Sequence, residues 1–180
     1  MCDVNTILGA SDRMVTAGDV QFQPPQPKIW QLTTSIVAMI AGDIPLQTEI
    51  LIELTAEVNR RIKANPQDWL NVKDVADLYS HYYSDIRRRK AEKRILHPLG
   101  LDSNTYISRQ KEMSPELVSK VANELVNFEL PVVEVIFSGI DTSGGHLYIV
   151  RDGSVTCEDQ IGFAVIGIGY SHANSALRHH

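Results

Sequence analysis

Short apolar runs separated by glycine, aspartate and proline open the chain. Residues 6–10, 29–32 and 36–41 collect aliphatic and β-branched side chains, and Gly42 and Asp43 close the last run. This pattern predicts three short strands in succession. Between the first two, residues 19–27 hold three prolines and no periodicity. Proline cannot donate to a strand ladder, so this stretch reads as a loop or extended connector.

After Gly42 the period becomes helical. Asp43 is placed to cap a helix, Pro45 fits its first turn, and Ile44, Leu51, Leu54 or Thr55, Val58 and Ile62 share one face. The Asn65-Pro66 pair ends it. A second helix is predicted over 72–95, capped at Asn71 with Asp74 three residues on, and with Val72, Val75, Ala76, Tyr79, Tyr83 and Ile86 as its apolar face. Its basic end, residues 87–94, reads as a solvated helix terminus whose cations complement the dipole. His97-Pro98-Leu99-Gly100 breaks the pattern, and 101–113 is polar and irregular. Ser114-Pro115-Glu116 opens a third helix with Leu117, Val118, Val121, Leu125 and Phe128 on one side. Strands are predicted again at 132–137, 146–150 and 161–168, joined by turns at 142–145 and 151–153. A final helix starts near Tyr170.

Composition narrows the class. The chain has 180 residues, 43% hydrophobic and 22% charged, which suits one globular domain with a real core. A net charge of -5 argues against general nucleic-acid or anionic-membrane binding. No run approaches membrane-spanning length, and Cys2 and Cys157 allow at most one disulfide. The expectation is a soluble, cytoplasmic protein. His81, His97, His146 and His172 show no metal-ligand spacing, so no metal or other cofactor is expected.

Candidate chemistry lies at the strand ends. Asp12 follows the first strand and Lys28 opens the second, so the two can meet as a desolvated pair. Such a pair lowers the carboxylate pKa and gives a nearby nucleophile a charged, proton-handling neighbour. Asp12, Thr16 and Gly18, then Lys28 ten residues later, then Ala41-Gly42 fourteen residues after the Lys, together resemble the proteasome β-subunit family. The bacterial two-component ATP-dependent protease belongs to the same group of N-terminal-nucleophile (Ntn) hydrolases. The similarity spans roughly 6–65 and 132–177, with 137–141, 147–150 and 164–169 resembling the family's second-sheet strands.

The resemblance implies an α+β fold, a four-layer αββα sandwich in a single domain spanning 1–180. Residues 96–130 form an extra loop and helix, larger than the family's usual connection. It implies a threonine-type peptidase subunit that cleaves unfolded polypeptides through an acyl-enzyme. In that scheme Lys28 activates the nucleophile, Asp12 orients Lys28, and the Gly42 backbone N–H serves the oxyanion. The implied partners are polypeptide substrate, a homo-oligomer or ring of related subunits, and an ATP-dependent unfoldase.

Departures accompany the resemblance. The leading strand that carries the family's nucleophile is not found before Asp12, so the chain as given is expected to be inactive and incomplete at both ends. Cys2 is an Ntn-type alternative, but only nine residues separate it from Asp12, too few for a strand, a turn and a returning strand. The family's Gly-x-Gly turn often carries a supporting Ser; here Ile168 stands in the middle, with Ser171 nearby. Two other readings therefore stand beside the peptidase: a non-catalytic proteasome-like structural subunit, and an Ntn amidohydrolase acting on a small amide.

Overall fold

The structure, a computed structural model, describes residues 6–12, 15–17, 20–22 and 27–178. Cys2, Gly18 and, within the proline-rich stretch, residues 19 and 23–26 lie outside the described residues; residues 20–22 of that stretch are a strand rather than the expected loop. The chain is α+β and divides into two compact units, Met1–Tyr82 with Val132–His180, and Tyr83–Pro131.

The first unit is built on a five-stranded antiparallel sheet of β3 (Ile29–Gln31), β4 (Ile36–Gly42), β5 (Val133–Asp141), β6 (Gly144–Arg151) and β7 (Ser154–Cys157), in that order. A separate two-stranded ribbon pairs β1 (Val15–Ala17) with β2 (Val20–Phe22). Register alternates the two faces. Ala38 lies opposite Phe137, and Met39 opposite Ile136, which lies opposite Ile149. The Phe137 face carries α1 (Ile44–Ala64) and α2 (Val72–Ala91), and Phe137 meets Tyr79 of α2 edge to face with ring centroids 5.5 Å apart. The Met39 face is covered by Ile7, Ala164 and Ile166, which pack on Ile136, Leu147 and Ile149.

Sequence and structure agree closely through α1. Asp43 caps it by accepting from Leu46 N at 2.9 Å, Pro45 sits in the first turn, and Asn65 ends it. Its buried face is Leu46, Gln47, Ile50, Leu51, Leu54 and Val58, so the apolar stripe continues over Leu46 and Ile50, and Gln47 joins it. Gln47 is fully buried, and its amide explains why. Nε2 donates to Ala41 O at 3.1 Å and Glu134 O at 2.9 Å, while Oε1 accepts from Tyr79 Oη at 2.7 Å. A buried polar side chain is tolerated when its bonds are made.

Several expected elements change. Residues 6–10 form no strand, only an isolated bridge at Ile7. Residues 137–141 and 147–150 lie in the same sheet as β3 and β4, and 161–168 is irregular rather than a strand. Gly162 and Gly167 take positive φ there, which breaks strand geometry. The short β7 takes the edge instead, after a turn in which Asp152 and Gly153 both have positive φ, as a two-residue hairpin loop requires. At the start of α2 the side chain of Asn71 donates to Asp74, and the Val72 N–H is instead taken by Asp141 Oδ2 at 3.1 Å. The cap comes from β5, 69 residues away, which local sequence cannot reveal.

The second unit holds the end of α2, a π-helical turn (Glu92–Leu96), α3 (Ser103–Arg109) and α4 (Pro115–Val126). Residues 103–109 are helical because Asp102 and Thr105 make a reciprocal capping box, a signal hidden in the polar stretch. Leu96, Tyr106 and Val121 form its small core, joined by Val118 and Leu125. The basic run is partly structural: Arg87 donates to Phe128 O and Val126 O, and Arg88 pairs with Asp85.

Gly139 shows how closely β5 approaches the β3–β4 turn. A Cβ there would lie 2.5 Å from Ser35 O and 2.9 Å from Ile36 Cγ1. Gly139→Ala should therefore destabilise the protein by about 1–3 kcal/mol through overpacking, read as a lower urea midpoint. An unchanged midpoint would mean that the two segments separate without cost.

Candidate functional site

The end of β4 and the segments crossing the Met39 face form the candidate site. Lys28 enters β3 with its carbonyl accepting from Ile40 N at 2.9 Å, which seats it beside the end of β4. Its Nζ donates to Asp12 Oδ1, so the two charges predicted to meet are an ion pair. The pair is not desolvated, however. The Lys28 side chain is 20% exposed and that of Asp12 68%, because 6–12 runs over the sheet rather than inside a strand. Water screens such a pair, so it positions the ammonium more than it stores energy.

Gly42 is fixed by geometry. Its φ is +96°, and a Cβ would lie 2.2 Å from Val132 O. Any side chain there collides with backbone, so only glycine lets β4 turn directly into the Asp43 cap, whose N–H donates to Val132 O at 3.0 Å. The N-terminus of α1 thus begins two residues beyond Gly42, with its dipole's positive end at this strand terminus.

The Gly167 turn closes against the same place. A Cβ on Gly167 would be 3.2 Å from the Ala41 Cβ. Its N–H donates to Glu134 Oε2 at 2.8 Å, and Arg151 holds the other oxygen, Oε1, at 2.6 Å. Arg151 also donates to Val165 O at 3.1 Å and lies 5.8 Å from the centroid of the Tyr170 ring. Glu134 and Arg151 lie directly opposite each other on β5 and β6. This cross-strand pair fastens 165–170, including the start of α5 (Tyr170–Arg178), to the sheet beside Ala41. Sequence reasoning missed both residues: Glu134 and Arg151 are ordinary charges in apolar strands until register places them together. Ile168 is 91% exposed and makes no equivalent of the supporting Ser. Of the remaining motif residues, Thr16 lies in β1, and Gly18 lies outside the described residues.

A second polar cluster, also missed, sits at the β5–β6 turn. Ser143 Oγ lies 2.8 Å from His146 Nε2, and His146 Nδ1 lies 2.6 Å from Asp159 Oδ2. This has the order nucleophile, base, orienter. The Ser143 hydroxyl, however, donates to Asp141 Oδ1 at 2.6 Å, and its backbone N–H donates to the same oxygen. The proton that a nucleophile would hand to His146 is committed elsewhere. Asp159 lifts the His146 pKa above its ordinary 6.5, burial opposes, and Asp141 adds to the rise. Burial works against ionised Asp141 and Asp159, but bonds from Ser143 and Val72 to the first, and from His146 and Leu147 to the second, hold both carboxyls low. Tyr148, on the same face, is pushed up to about 12, first by burial and then by Cys157, an exposed free thiol.

A cleft of about 220 Å³ opens between Thr33, Ser35, Asp68 and Trp69, at the opposite end of β3 from Lys28. It shares no residue with either cluster. Among the described residues no group of three or more His, Cys, Asp or Glu is placed to hold a metal ion, and no helix is long and apolar enough to cross a membrane.

No protein-family model matches the chain, and a search of curated proteins finds no match.

The Glu134 carboxylate is the device that holds the Gly167 amide. Glu134→Ala should remove amide-exchange protection at Gly167 while leaving the protection of β4 intact. Retained protection at Gly167 would show that the turn is held by other contacts.

Proposed function

We propose that this chain is a proteasome-like Ntn-hydrolase subunit, of the threonine-peptidase type. Its five-stranded sheet is then one of the two sheets of a four-layer αββα sandwich. The observation that carries this reading is the Asp12–Lys28 ion pair seated beside the end of β4. The close approach of Gly167 to Ala41 supports it, as does the placement of α1 and α2 together on one face of the sheet.

The reaction is amide hydrolysis of unfolded polypeptide by an N-terminal nucleophile. Lys28, oriented by Asp12, keeps the nucleophile reactive at neutral pH by stabilising its deprotonated form and relaying its proton. The Gly42 N–H, next to the positive end of α1, receives the oxyanion of the tetrahedral intermediate. In this reading the nucleophile is the first residue of a strand that pairs ahead of Asp12, and no residue of the sequence is assigned that role. Assembly into a ring, an unfoldase partner and a cytoplasmic setting belong to the same proposal.

A non-catalytic proteasome-like subunit is the second reading, favoured by the 68% exposure of the Asp12 side chain. An exposed ion pair is screened by water and contributes little.

Peptide hydrolysis by the protein with its nucleophile strand in place should fall about 100-fold or more in Lys28→Ala, with an unchanged thermal melt. Asp12→Asn should follow the same direction, and the double variant should lose little more than Lys28→Ala alone, because the two act as a unit. Full activity in folded Lys28→Ala removes the mechanism. Absence of any hydrolysis in the protein with its nucleophile strand in place and Lys28 and Asp12 unchanged favours the structural subunit.

A further inference from the structure

The polar cluster at the β5–β6 turn has no part in the proposed peptidase site. It joins three segments that are distant in sequence. Asp141 ends β5, His146 lies in β6 directly opposite Gly139, and Asp159 follows β7. Asp159 Oδ1 accepts from Leu147 N at 2.7 Å while Oδ2 meets His146 Nδ1 at 2.6 Å. Asp141 Oδ1 takes both donors of Ser143 and lies 3.3 Å from His146 Nε2; Oδ2 takes the first N–H of α2, from Val72.

We propose that Asp141, His146 and Asp159 form a pH-sensitive clamp, in which an imidazolium between two carboxylates ties the β5–β6 turn to the segment after β7 and, through Asp141, to the start of α2.

Proton bookkeeping gives the clamp two states. In the imidazolium both ring nitrogens donate, Nδ1 to Asp159 and Nε2 to Ser143 Oγ, leaving the Ser143 hydroxyl proton for Asp141. Every short contact then has a donor and an acceptor. After loss of one proton the imidazole keeps a single N–H, which faces Asp159. Nε2 becomes an acceptor and competes with Asp141 for the one hydroxyl proton of Ser143. At the same step the two carboxylates lose the positive charge between them. Asp141 is 7% exposed, so water compensates it poorly.

The titratable groups around His146 are Asp141 from β5, Asp159 after β7, Tyr148 from β6 and Cys157 from β7. From α2, the contact is the Val72 N–H on Asp141. The neighbouring Lys73 is paired with Asp77 on its own helix. Folding raises the affinity of His146 for its proton, so the clamp contributes in full below the ordinary value of 6.5 and is lost as pH rises through the higher folded value. The carboxylates, held below 3.8, sustain it on the acid side until they protonate.

An NMR titration of the unaltered protein tests this directly. The His146 ring proton, assigned by its loss in His146→Gln, should titrate with a midpoint above 6.5. The Val72 and Leu147 amide resonances should shift with that same midpoint. The melting temperature should fall across the same interval, and Asp159→Asn should move the midpoint down. In His146→Gln the Val72 amide should be silent across the interval in which His146 titrates in the unaltered protein. A His146 midpoint at or below 6.5, or a Val72 amide blind to a titrating His146, overturns the clamp. Both readouts come from the unaltered chain, once His146 is assigned by the variant or by through-bond correlation, so a poorly folding variant does not block the decision.

Discussion

The Gln47 side chain is the contact on which the first unit depends. It sits fully buried between α1 and the sheet, where one amide joins the carbonyls of Ala41 and Glu134 and accepts the hydroxyl of Tyr79. Ala41 and Glu134 are register partners on β4 and β5. The amide therefore locks two strands, the first helix and the second helix at one point. A buried amide with unmet bonds costs far more than a buried leucine, so this arrangement tolerates only one docking of α1 on the sheet. Apolar burial supplies the driving force around it, and the polar contact selects the geometry.

The candidate site inherits its shape from that lock. On the side of the sheet away from the helices, the same two strand positions present Ala41 and the Glu134 carboxylate. Ala41 meets Gly167, and Glu134 holds the Gly167 amide while pairing with Arg151. One residue further, Gly42 turns at positive φ against Val132 and hands the chain to the Asp43 cap. Lys28 and Asp12 arrive from the N-terminal side. The site's parts thus converge on the end of β4 from both sides of it in the sequence. That convergence makes this strand end, rather than the cleft at Trp69, the place where chemistry is proposed.

The clamp at the β5–β6 turn serves the other end of the same sheet. It caps α2 with a carboxylate carried by a strand, so helix placement and hairpin closure are one event. The two polar devices differ in kind. Gln47 is neutral and insensitive to pH, whereas the Asp141–His146–Asp159 group carries charge whose balance depends on a single proton.

By itself the sequence determined the elements whose signals are local. Asp43, Pro45 and Asn65 bound α1 because capping and proline sterics act within a turn, and Ser114 and Pro115 open α4 for the same reason. Asp152-Gly153 marks its hairpin because positive φ selects those residues. The spacing from Asp12 to Lys28 anticipated their pairing, since it counts residues between adjacent segments. Tertiary structure decided the rest. The irregular path of 161–168, whose composition reads as a strand, combines positive φ at Gly162 and Gly167 with Glu134 and Arg151 taking its backbone groups. Exposure of Asp12 depends on 6–12 lying over the sheet instead of within it. The Val72 cap and the His146 group require contacts across 69 and 13 residues. No local propensity encodes such contacts, because the free energy that selects them comes from docking whole elements and satisfying what that docking buries.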